Sequence, residues 1–143
     1  MPEAAKEILL VEDDFALSYV MSCILKSHGF IVRIASTGKE ALELIAESKP
    51  SALLLDVSLP DTDAFEIVKY LRTDSRYSSM PLIVHTSLEL TLEEKSRLVL
   101  GHTEVMTKTF VCSEELPDHL TRLIAQSQEH VWPNSSSSSS SEI

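Results

Sequence analysis

Five short strand-like runs alternating with five amphipathic stretches predict an α/β fold, a doubly wound parallel sheet of five strands with helices on both faces. Three observations carry that prediction. Ile8 to Val11 and Ala52 to Leu55 are unbroken apolar runs too short for helices, the pattern of strands covered on both faces. Between the runs, apolar residues recur at helical spacing. Two of the runs end in carboxylates, at Glu12-Asp13 and at Asp56, and in an open parallel sheet the carboxyl ends of the strands border the crevice where ligands bind.

The elements follow in chain order. After the first strand, Leu17, Val20, Met21, Ile24 and Leu25 define a helix from Phe15 to His28, with Asp14 as its N-cap and Gly29 where a left-handed residue ends it. Phe30 to Ala35 is the second strand. Thr37 and Glu40 have capping-box spacing for a second helix, which carries Ala41, Leu44 and Ile45 inward and stops before Pro50. The third strand, Ala52 to Leu55, delivers Asp56. Pro60 breaks the extended run, and Asp61 to Asp63 supply turn and cap chemistry before a third helix from Ala64 to Leu71. Arg72 to Met80 reads as a polar loop with Tyr77 packed over the edge. Leu82 to His85 is the fourth strand, and His85 within it reads as a packed or hydrogen-bonded side chain rather than a base or ligand. Thr91 and Glu94 form a capping box for a short helix ending at Gly101. Glu104 to Thr107 is the fifth strand, and Ser113-Glu114-Glu115 opens the last helix, with Pro117 in its first turn and Leu116, Leu120, Leu123 and Ile124 as its stripe. Right-handed crossovers give the flavodoxin-like strand order 2-1-3-4-5. Residues 6–128 thus form one domain. Residues 129–143, with serines from Ser135 to Ser141, read as a flexible tail.

Composition narrows the function. With 143 residues, 43% hydrophobic and 24% charged, the chain reads as one globular domain rather than a disordered segment. A formal charge of −10 argues against a nucleic-acid partner, because phosphate backbones are held by clustered Lys and Arg. The two cysteines, Cys23 and Cys112, are too few for a secreted disulfide framework. No apolar run approaches a membrane span, and Met1-Pro-Glu-Ala-Ala lacks the features of a signal peptide, so the expectation is a cytoplasmic protein with no membrane partner.

The chemistry concentrates at the strand ends. If the first and third strands are neighbours, Glu12, Asp13 and Asp56 converge, and their mutual repulsion is relieved by a hard divalent cation with oxygen ligands, such as Mg²⁺. Thr86 and Ser87 place hydroxyls after the fourth strand, and Lys108 places an ammonium after the fifth. Glu12-Asp13, Asp56 with Pro60 four residues on, Thr86 and Lys108, in this order, resemble the response-regulator receiver domain over Lys6 to Gln126. The resemblance implies that Asp56 accepts a phosphoryl group from a histidine kinase or phosphotransfer protein in a Mg²⁺-dependent reaction. It further implies that Asp13 ligates the metal directly, Glu12 through an outer sphere, and the Ser58 carbonyl as a further ligand, while Thr86 and Lys108 contact the phosphoryl oxygens. The residue types suit that chemistry, since a carboxylate is a weak nucleophile and needs the incoming group held in line with its charge neutralised.

Three positions depart from the family pattern. Val105 stands where an aromatic switch residue is usual, Thr109 where a proline follows the lysine, and Ala64 where glycine is common. These changes bear on signal output more than on phosphoryl chemistry. The expectation is therefore a phosphoacceptor that switches the binding of a downstream protein, as a monomer or weak dimer, either free-standing or the terminal receiver of a larger kinase. The alternative is a pseudo-receiver that binds protein partners without phosphate. A phosphatase using an aspartyl phosphate would want a second Asp at Ser58, and a flavin site is disfavoured by the acidic turn after the first strand.

Overall fold

A computed structural model describes residues 5–131, with side chains through residue 128. The chain alternates β1 (Glu7–Val11), α1 (Phe15–Ser27), β2 (Ile31–Ala35), α2 (Gly38–Glu47), β3 (Ala52–Asp56), α3 (Ala64–Arg72), β4 (Leu82–Thr86), α4 (Leu92–Ser96), β5 (Thr103–Thr107), α5 (Lys108–Val111) and α6 (Leu116–Val131). All strand pairs are parallel and the order is β2-β1-β3-β4-β5, as expected. Of the tail expected over residues 129–143, residues 129–131 belong instead to α6, and residues 132–143 lie outside the described residues.

Residue parity sorts the core. Leu9, Val11, Leu53, Leu55, Leu82 and Val84 face α2 and α3, where Ala41, Ile45, Ile67, Val68 and Leu71 meet them. Ile8, Leu10, Ala52, Leu54 and Ile83 face the other way, against Met21 and Leu25 of α1 and Leu120, Leu123 and Ile124 of α6. Successive strand residues point to opposite faces, so each central strand supplies both cores, and that is why these runs are continuously apolar.

The caps hold the helices where the site needs them. Asp14 Oδ1 accepts from Leu17 N at 3.1 Å and Asp63 Oδ1 from Glu66 N at 3.0 Å. The Thr91–Glu94 capping box is complete in both directions. Gly29 adopts φ 90°, the left-handed conformation that glycine takes most readily.

Three expectations are corrected. Six helices are present among the described residues rather than five, because Thr107 caps an extra turn over Lys108–Val111 by accepting from Phe110 N at 3.1 Å. The last helix accordingly opens at Leu116, not Ser113. The fourth helix stops at Ser96 rather than running to Gly101, and Gly101 serves a different purpose: a Cβ there would lie 2.3 Å from the Ser79 carbonyl oxygen. Arg72, at the end of α3, donates to Ser96 O at 2.9 Å and Val99 O at 2.7 Å, satisfying carbonyls at the end of the shortened α4.

Candidate functional site

The carboxyl ends of β1, β3, β4 and β5 meet in one cleft. β3 lies between β1 and β4, with Asp56 level with His85 across the β3–β4 ladder. Glu12 continues the parity of Ile8 and Leu10, Asp56 that of Ala52 and Leu54, and His85 that of Ile83, so all three turn toward the α1–α6 side. Glu12, Asp56 and His85 are each buried, and one potential ligand atom from each lies within 4.8 Å of the others. Lys108, released by β5 into α5, closes the group. Its Nζ is 3.2 Å from Asp56 Oδ2 and 3.4 Å from Glu12 Oε1.

Electrostatics follow from burial. Glu12 is 1% exposed, and desolvation raises its pKa from 4.5 to about 7. The Asp14 backbone N–H, donating to Glu12 Oε2 at 2.9 Å, and the Lys108 ammonium oppose that rise, while the Asp56 charge adds to it. Burial drives His85 down from 6.5 to about 3, helped by the Lys108 charge, so its ring is neutral at physiological pH. For Lys108 burial pulls downward, but the attraction of Asp56 and Glu12 together prevails and its pKa is raised. The Cys112 thiol is pushed up by burial and by the charges of Glu12 and Asp14.

Polar satisfaction in the cleft is incomplete. Asp56 Oδ1 accepts from Ser58 N at 3.4 Å, and Oδ2 takes the Lys108 hydrogen bond. Glu12 Oε1 is near both Lys108 and His85 Nδ1, the latter at 3.5 Å, but neither approach has hydrogen-bond geometry. That oxygen and both ring nitrogens of His85 are buried without a hydrogen-bond partner. Orphaned polar atoms of this kind cost free energy unless something else coordinates them.

The residues singled out in the sequence are distributed as follows. Asp56, Lys108 and Glu12 are brought together. Asp13 is exposed and Glu12, its neighbour, is the acid packed against Asp56. Ser58 is exposed beside Asp56. Thr86 is buried on the opposite parity, with its Oγ accepting from Leu88 N at 3.0 Å and no hydrogen bond to Asp56 or Lys108. Asp14 caps α1 and stays out of the cluster. His85 is the member that sequence reasoning left out: burial was expected, partnerless nitrogens beside Glu12 were not. Asp61 also has an unexpected role, accepting from Gly38 N at 2.8 Å and Lys39 N at 3.0 Å, which lowers its pKa and ties the loop after β3 to the start of α2.

Comparison with known proteins identifies the family. The family description "Response regulator receiver domain" matches residues 8–121. The chain belongs to the response regulator receiver domain family. One relative is the response regulator MprA of Mycobacterium sp. (strain KMS), 32% identical over 128 residues, which is 90% of this chain and 54% of that protein. The receiver domain here therefore spans about half the length of the relative it matches. The chemotaxis response regulator CheY4 of Vibrio cholerae superposes with TM-score 0.74 at 29% identity, covering 84% of this chain and 99% of that one. The receiver domain of the sensor histidine kinase PA1611 of Pseudomonas aeruginosa PAO1, solved with a magnesium ion coordinated in its active-site cleft, gives TM-score 0.74 at 29% identity over 85% of this chain and 99% of that one.

Two of the family departures are now placed. Val105 is half-buried on β5 and packs on the α2–α3 side, away from the parity of the cluster. No peptide bond among the described residues is cis, so Lys108–Thr109 is trans. Among the same residues, no helix is long and apolar enough to cross a membrane.

Proposed function

We propose that this receiver domain accepts a phosphoryl group on Asp56 from a phosphohistidine of a histidine kinase or phosphotransfer protein, with Mg²⁺, and that the modification changes the binding of a downstream protein. The observation that supports this best is Asp56 itself, a buried carboxylate at the mouth of a parallel sheet held 3.2 Å from Lys108 Nζ. A carboxylate oxygen of Asp56 attacks phosphorus, forming the O–P bond as the N–P bond to the donor imidazole breaks, and the electron pair leaves on that nitrogen. On this reading Lys108 would neutralise charge on the transferred oxygens, and Thr86 would donate a hydrogen bond to one of them.

The cleft fits a divalent cation. Two buried carboxylates face it with one ammonium between them, and Glu12 Oε1 has no hydrogen-bond partner. Glu12, Asp13, Asp56 and the Ser58 carbonyl are the groups that would hold the ion. Bound there, it supplies charge neutralisation for the phosphoryl oxygens. A protein donor must also reach Asp56, and α1 begins beside the cleft with two exposed aromatics one turn apart, Phe15 at 85% and Tyr19 at 65% exposure, a surface suited to an apolar partner helix.

Intact mass measurement after incubation with a small acyl phosphate and Mg²⁺ tests the reading. One added phosphoryl group, absent without Mg²⁺ and in Asp56→Asn, is expected. Equal labelling of Asp56→Asn would refute the assignment, and no labelling under any condition would favour the phosphate-independent interaction module.

A further inference from the structure

We infer that the cleft takes a first-row transition dication, of the Mn²⁺ and Co²⁺ class, with His85 Nδ1 as a nitrogen ligand beside the carboxylates of Glu12 and Asp56. The inference rests on the proposed function only in setting a divalent cation against those two carboxylates.

Three buried groups define the site. Glu12 is 1% exposed, Asp56 3% and His85 0%, and a carboxylate oxygen of each acid and a ring nitrogen of His85 are mutually within 4.8 Å. Ligand atoms about 2.0–2.2 Å from a shared ion lie about 3–4.4 Å apart, so only a slight contraction brings these three onto one centre. The Glu12–His85 edge, at 3.5 Å, is already there.

The state of His85 points to a ligand rather than to packing alone. Neither ring nitrogen has a hydrogen-bond partner, and neither does the Glu12 oxygen that Nδ1 faces. A water could satisfy one such atom by hydrogen bonding; an ion can draw on the nitrogen, Glu12 and Asp56 at once. The chemistry of the donor set then selects the ion. Mg²⁺ is hard, keeps its waters and prefers oxygen throughout, so an imidazole adds little for it. Imidazole suits the later first-row ions, whose affinity rises along the series from Mn²⁺. A cleft of two carboxylates and one imidazole is therefore expected to discriminate against Mg²⁺ more than an all-oxygen cleft does. Lys108, 30% exposed and beside Glu12 Oε1 and Asp56 Oδ2, opposes the cation by its charge and does not occupy the nitrogen.

Pulsed electron paramagnetic resonance of the metal-stripped full chain reloaded with Mn²⁺ is the deciding measurement. A ¹⁴N modulation from a directly bound imidazole is expected, changing to the ¹⁵N pattern when histidine is isotopically labelled and disappearing in His85→Leu. In calorimetry His85→Leu should weaken Co²⁺ about tenfold or more while Mg²⁺ stays within about twofold. Absence of nitrogen modulation in the wild-type chain overturns the inference, as does an equal loss of Co²⁺ and Mg²⁺ affinity. If His85→Leu does not fold, the labelled wild-type spectrum shows whether a nitrogen binds, and His85→Gln shows whether it is this one. Mg²⁺-dependent phosphoryl uptake without nitrogen coupling would refute the inference and leave the phosphoacceptor reading intact. Nitrogen coupling in a chain that takes up no phosphoryl group would do the reverse.

Discussion

Replacing His85 with leucine should change how stability depends on pH, and the magnitude follows from two buried groups that titrate in opposite senses. Glu12 has its pKa raised by folding from 4.5 to about 7, so between those values the folded state holds a proton that the unfolded state has lost. Its contribution to stability is fully present below pH 4.5 and is lost as pH rises through 7. His85 has its pKa lowered from 6.5 to about 3, so between those values the unfolded state holds the extra proton. Its contribution is present above pH 6.5 and is lost as pH falls toward 3. Each pH unit in which only one state holds the proton is worth about 1.4 kcal/mol. From pH 4.5 to 6.5 the two slopes are equal and opposite, and the pair leaves wild-type stability nearly flat. In His85→Leu only the Glu12 slope remains, so across that window the variant should lose about 3 kcal/mol that the wild type retains. Glu12→Gln should show the reverse slope. Urea unfolding of metal-stripped protein at closely spaced pH values, with the denaturant slope unchanged, reads this directly. Wild-type and His85→Leu curves that run parallel within about 1 kcal/mol would refute the opposed-titration argument.

Gly101→Ala should destabilise by about 1–3 kcal/mol or more, because its Cβ would meet the backbone of Ser79 and Met80, whereas Gly29→Ala, with open space around it, should cost about 1–2 kcal/mol for the positive φ; thermal unfolding of the two variants ranks them. Asp14→Ala should cost about 1 kcal/mol as a lost helix cap with little change in Mg²⁺ affinity, while Asp13→Ala should weaken Mg²⁺ markedly at little cost in stability, a division that calorimetry and urea unfolding together resolve. A beryllium fluoride adduct at Asp56 should alter amide exchange over Thr86 to Thr91 and α4 while β5 stays nearly unchanged, since Val105 is stiff and too small to swap burial; changes centred on Val105 to Lys108 would contradict this.

The legible and illegible parts of this chain divide by the range of the forces involved. Capping boxes, the left-handed Gly29 and the apolar runs act within a few residues, so Thr37, Asp63 and Thr91 disclosed helix starts that the structure repeats. What depends on distant chain segments did not show: Asp61 capping α2 from 23 residues away, Arg72 reaching the carbonyls after α4, and Gly101 pressed on Ser79 have no local signature. The extra turn at α5 was missed for a different reason, since Thr107 reads equally as the end of a strand and as a cap. The cluster itself is an intermediate case. Once the strand order is granted, counting by twos along β1, β3 and β4 puts Glu12, Asp56 and His85 on one face and Thr86 on the other, and the structure follows that count. The acid pair divides just past the end of β1, where Glu12 is buried in the cluster and Asp13 is exposed. The buried carboxylate is held by the Asp14 backbone N–H and the Lys108 ammonium, while its exposed neighbour is the one that, on the proposed function, would meet an incoming cation.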